Sequence, residues 1–228
     1  MFAKLLKTLI GIFAIPVAIG TGRAFYLLIS GISVFSGTLH VLERGLLAYL
    51  LFHVLIMRPA YIYVLGHETM HVIATWLCGG KVISFNVTPS GGNVVTSKTN
   101  FFIELSPYFV PIYTVLLGPV YFALRAMDKQ FPHMSLVFIF LIGVTLAFHF
   151  VMTSEVIRLR QPDIVKSGLL FSLVLIFVGN LVIVMAVFCP LFDLSFTGFI
   201  KKAALNSAEI YRLVYGNVLE FVNTNKIW

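Results

Sequence analysis

The run from Gly168 to Leu191, GLLFSLVLIFVGNLVIVMAVFCPL, contains no charged residue over 24 positions. About 20 apolar residues carry a helix across the hydrocarbon of a bilayer, so a run of this length constrains the fold more than any other feature of the chain. Further apolar runs occupy Leu5 to about Phe35, Leu46 to Met57, about Ala60 to Cys78, Tyr108 to Ala126 and Ser135 to about Ile157. With 59% hydrophobic and 11% charged residues and a mean hydropathy of +0.98, far more apolar surface is available than a soluble core needs. The chain reads as an α-helical integral membrane protein with about five or six transmembrane helices, multi-pass, in the cell inner membrane if bacterial. The net charge of +7 fits basic loops against anionic headgroups, with the lipid bilayer as partner and no nucleic acid implied. The first apolar run imitates a signal peptide, but no small-residue cleavage site follows it, and it reads as retained. Cys78 and Cys189 lie in or beside apolar runs and offer neither a disulfide framework nor a multi-cysteine zinc motif.

Between the helical runs the period changes. Val82 to Thr88 alternates, Pro89-Ser90-Gly91-Gly92 is strong turn chemistry, and Asn93 to Thr96 resumes a β-prone composition, which predicts a hairpin within residues 81–106. Gly79-Gly80 stops the helix before it. From residue 198 to 228 polarity rises, and Ile210, Leu213, Val214, Val218 and Phe221 recur at helical spacing. That tail reads as an amphipathic helix, lying on the membrane surface or on the bundle. The expected organisation is one membrane-embedded domain over 1–197, with its chemical core at about 60–172, followed by the tail over 198–228.

The segment VLGHETMHVIATW, Val64 to Trp76, places ionisable side chains inside an apolar helix, where charge is costly and usually functional. His67-Glu68-Thr69-Met70-His71 fits HExxH. On a helix the two histidines stand one turn apart on one face, so both imidazoles can reach one zinc ion. Glu68 lies about 100° round the helix from His67 and is free to take a proton from water activated by the metal. With six His and six Glu among 228 residues, chance alone would give HExxH in roughly one shuffled chain in 250, so the match carries weight.

HExxH supplies two ligands, and a catalytic zinc takes a third from the protein. Asp163, in RQPDIVKSG, opens the last long apolar span; its plain alternative is a helix N-cap. His149 lies well inside a span and would otherwise bond a neighbouring helix. Glu155 could serve, or could pair with Arg158. Glu104, in a connecting stretch, is weaker, and Cys78 is more simply a buried core cysteine.

HExxH inside an apolar span, a glycine-ended helix, a strand-like stretch, LLGPVYF (Leu116 to Phe122) on the next span and a late aspartate together resemble the site-2 protease family of intramembrane zinc metalloproteases, over roughly Ala60 to Ser172. The resemblance implies a minimal core without an inserted PDZ-like module and a short re-entrant β-hairpin-like segment after the HExxH helix. It also implies Zn2+ held by His67, His71 and Asp163, with Glu68 as general base. The Pro-Asp-Gly or Leu-Asp-Gly motif of that family is matched here at Gln161-Pro162-Asp163-Ile164, with Ile164 in place of the glycine. The asparagine the family commonly places upstream of that motif has no counterpart. His149 stands either in place of that polar group, steadying the tetrahedral oxyanion, or in place of Asp163 as ligand. The expected activity is zinc-dependent endopeptidase cleavage in or near a transmembrane segment of a membrane-protein substrate, held extended by pairing with an exposed strand edge at Val82 to Thr88 or Asn93 to Thr96. The alternative is a non-catalytic zinc-binding membrane protein, a transporter or an inactive protease relative, which has no need of Glu68 as a base.

Overall fold

A computed structural model of the chain describes residues 2–127, 132–159 and 161–224. It divides into two compact units, Val34–Ser167 and a second made of Met1–Ser33 with Gly168–Trp228.

The unit Val34–Ser167 holds α2 (Gly37–Leu55), α3 (Ala60–Leu77), β1 (Val82–Thr88), β2 (Gly91–Thr96), α4 (Phe101–Phe109), α5 (Ile112–Met127), α6 (Pro132–Arg158) and α7 (Pro162–Ser167). Ser36 caps α2 by accepting the Leu39 N–H. α2 lies so close to α6 that a Cβ on Gly45 would run into the carbonyl of Phe140, and one on Gly143 into that of Leu42. Glycines at both faces let the two backbones meet, the small-residue packing usual between helices in lipid. Beside this contact Tyr49, Tyr63, Ala147, Phe148 and Met152 form a buried cluster that ties α2, α3 and α6 together.

α3 ends as its sequence dictates. Gly79 takes φ +68°, its N–H bonds the Trp76 carbonyl at 2.9 Å, and the Gly80 N–H bonds that of Thr75 at 2.8 Å, a Schellman motif. The expected hairpin follows at once: β1 and β2 pair antiparallel from Thr88↔Gly91 to Val82↔Thr96 around Pro89-Ser90, with an irregularity between Val82 and Ser84. β1 and β2 both pack against α3.

The helix expected from Tyr108 to Ala126 begins earlier and is broken. Asn100 caps α4, its side chain accepting the Ile103 N–H. α4 then stops at Val110, which is extended at φ −102°, ψ 107°, because the residue before Pro111 is sterically barred from helical geometry. α5 starts after the proline with its axis bent 73° from that of α4.

The second unit consists of α1 (Phe2–Ile29), α8 (Leu169–Phe192) and α9 (Phe196–Thr224). α1 is one helix despite Pro16. It packs on both α8 and α9, with Ala24, Met185, Cys189, Phe199 and Ala203 as the buried cluster. α9 runs antiparallel to α1: Gly20 is pressed on Ser207, Tyr211 donates to the Phe13 carbonyl, and Arg23 pairs with Glu209 at 2.7 Å. The amphipathic tail thus lies along α1; its last residues, 225–228, fall outside the described residues.

Among the described residues four helical segments are long and apolar enough to cross a membrane: Leu5–Ile29, Gly37–Leu55, Ser135–Arg158 and Leu169–Phe192. The bent pair α4–α5 makes a fifth if it counts as one span. α3, expected as a span, is not among them, because His67, Glu68, Thr69, His71 and Thr75 lower the hydropathy of a helix only 18 residues long.

Candidate metal centre

The HExxH residues sit in the middle of α3, and α3 is positioned by the hairpin on one flank and by α4 on another. His67 and His71 stack edge to face, ring centroids 4.9 Å apart, as their one-turn spacing requires. The His71 Nδ1 bonds the carbonyl of Ile103 at 2.7 Å. That bond keeps a proton on Nδ1 and turns Nε2 toward Asp163, so that once the ring is neutral the Nε2 lone pair faces inward. The His67 ring is wedged by packing, edge to face against Tyr108 at 5.0 Å, and its Nδ1 is buried with no hydrogen-bond partner among the described residues.

Asp163 comes to this face from the other end of the unit. Pro162 starts α7, a position where a missing N–H costs nothing, so Asp163 falls in the first turn of the helix and is not its cap. Gly168, at φ +90°, follows α7, so the aspartate sits on a six-residue helix of its own and not on the helix of the last long apolar run. Its Oδ2 lies 3.9 Å from His67 Nε2 and 3.5 Å from His71 Nε2, and accepts the Tyr108 hydroxyl at 3.3 Å. Burial alone would raise the Asp163 carboxyl, but hydrogen bonds from the two imidazoles and their charge outweigh it and hold the group well below the usual carboxylate range.

Among the described residues His67, His71 and Asp163 are the one group of three or more such side chains whose donor atoms all lie within 4.8 Å of one another. Two ligand atoms about 2.0–2.1 Å from a tetrahedral zinc stand roughly 3.3 Å apart, so the separations of 3.5 and 3.9 Å from Asp163 to the two histidines need about 0.2 and about 0.6 Å of closure. The donor set fits a metal ion of that size.

No family model, curated protein or solved structure matches the chain.

Glu68 stays outside the ligand group yet lines the same cleft, a cavity of about 600 Å³ that also takes in Gly92 to Thr96 of β2, Glu104 and Lys166. It is 8% exposed, roofed by Gly92: a Cβ on that residue would come within 2.9 Å of the carboxylate carbon and of Oε1. The hairpin's glycine therefore permits a close approach between backbone and carboxylate. Of the two strands expected to offer an edge, β2 lines the cleft.

The other candidates lie elsewhere. His149 is buried and lines a small separate cavity with Tyr63, His67 and Phe148. Glu155 is 3.3 Å from His53 on α2 and 3.7 Å from Arg58, and those contacts, not one to Arg158, hold it. Cys78 caps α3. Sequence reasoning passed over Tyr108 and the Ile103 carbonyl. Both touch the histidine pair directly, and their sequence signal was no more than an aromatic, polar-edged segment following the hairpin.

Proposed function

We propose that the chain is a zinc-dependent intramembrane endopeptidase of the site-2 protease kind, cleaving in or near a transmembrane segment of a membrane-protein substrate. The observation that carries this reading is one cleft holding two imidazoles and a carboxylate within 4.8 Å, with a further carboxylate outside the ligand group, Glu68, beside them. His67, His71 and Asp163 would hold the ion. When bound, zinc lowers the pKa of an attacking water and polarises a peptide carbonyl. Glu68 accepts the water's proton and delivers it to the leaving amine; Gly92 keeps bulk solvent from its carboxylate. β2 has one edge that β1 does not pair, and a substrate unwound into an extended strand can add there, beside the base.

Glu68→Gln separates this enzyme from a zinc-binding protein without catalysis. It preserves shape and removes the proton acceptor, so cleavage of a membrane-tethered substrate should fall by about 100-fold or more while zinc stays at one per chain. A zinc-loaded Glu68→Gln protein with wild-type cleavage would end the hydrolase mechanism.

A further inference from the structure

α7 is too short to hold its own shape, since isolated helices below about 12 residues are marginal in water. Its aspartate must be placed by bonds from outside, and α4 supplies them at two levels. Tyr108 donates to Asp163 Oδ2 at 3.3 Å. One turn earlier on α4, Glu104 Oε2 accepts the hydroxyl of Ser167, which stands one turn after Asp163 on α7. Residues four apart share a helix face, so the two bonds form rungs between one face of α4 and one face of α7. Tyr108 and Ser167 are fully buried and Ile164 between the rungs is 1% exposed. A bond left half-made in so dry a seam costs the full desolvation of the remaining partner. The other Glu104 oxygen, Oε1, accepts the Thr99 hydroxyl at 3.2 Å. Both carboxylate oxygens are engaged by hydroxyls, and Glu104 is outside the ligand group although it lines the cleft.

We infer that Glu104 is a positioning residue for Asp163, acting through Ser167, and that the Glu104–Ser167 rung sets the geometry of the third ligand. The inference rests on the metal-centre reading above and deepens it. α4 then governs two of the three donors, because the neighbouring Ile103 carbonyl orients His71. Outer partners of this kind change metal affinity by about 10- to 100-fold when removed.

The test uses the full chain in detergent, loaded with Co(II) for its visible spectrum and with zinc for affinity by chelator competition. Circular dichroism is recorded beside both. Ser167→Ala and Glu104→Leu should each weaken zinc binding by about 10-fold and alter the intensity of the Co(II) bands, with helical dichroism unchanged. The double variant should be no worse than the poorer single one, because one rung is being removed twice. Glu104→Gln keeps an acceptor for Ser167 and should restore most of the affinity and the spectrum. Wild-type spectrum and affinity in Ser167→Ala, with metal lost from Asp163→Ala, would overturn the inference and leave the metal centre standing. So would additive losses in the double variant, or metal lost only on changing Glu104, which would make Glu104 a ligand. If Glu104→Leu fails to fold, Ser167→Ala, which deletes a single oxygen, decides. A wild-type chain that takes up neither ion overturns both readings at once.

Discussion

At the scale of single residues, the roles divide by what each carboxylate touches. Asp163 faces two imidazoles and a phenol, Glu155 faces His53 and Arg58, Glu104 faces two hydroxyls, and Glu68 faces a glycine backbone. Of these, Asp163 belongs to the ligand group, and Glu68 lines the same cleft without the two hydroxyls that engage Glu104. Zinc analysis of three variants checks the assignment: Asp163→Ala should lose the ion, while His149→Ala and Glu155→Ala should retain about one per chain. Full zinc in Asp163→Ala with loss in His149→Ala would transfer the ligand role to His149. The pair His67 and His71, with Glu68 beside them, was legible in the sequence because one helical turn fixes their relation. The choice among Asp163, His149 and Glu155 was not. It depends on which helices α3 meets, and no local spacing encodes that.

At the scale of elements, the hairpin was readable from alternation and turn chemistry, and the Gly79-Gly80 stop from the need for a left-handed residue after α3. α4 was not, because Pro107 and Pro111 disguise a nine-residue helix and its sharp join to α5 as the start of one long span. Yet among the described residues α4 carries the outer bonds to His71 and Asp163, two of the three candidate ligands. The sequence also left open which strand would serve a substrate, and the structure lays β2 along the cleft. In an antiparallel pair successive amides point alternately to the partner strand and away. Of the adjacent residues Val94 and Val95, one therefore directs its N–H to the unpaired edge. Proline at that position should spare the hairpin but remove a bond to an added substrate strand, raising KM several-fold with kcat little changed. Proline at the other should damage the hairpin itself. Cleavage kinetics unchanged by either substitution would exclude strand addition on β2.

At the scale of the whole molecule, composition alone made clear that long apolar helices dominate. What it could not supply is the pairing of the first helix with the last two, α1 with α8 and α9, since helices at opposite ends of the chain carry no mark of one another. The residues of the candidate centre all fall within the unit Val34–Ser167. They are drawn from near its beginning and its very end. An ion held by α3 and α7 would act as a removable cross-link, closing a ring from His67 to Asp163 and withdrawing that much freedom from the unfolded chain. At free zinc one hundred times Kd such an ion adds about 2.7 kcal/mol to stability. Thermal unfolding in detergent should therefore shift down on adding a chelator, and the shift should vanish in Asp163→Ala; an identical midpoint with and without chelator, in protein shown to carry zinc, would deny the link. An ion proposed to activate water for cutting other chains would then serve also as the clasp that keeps this one shut.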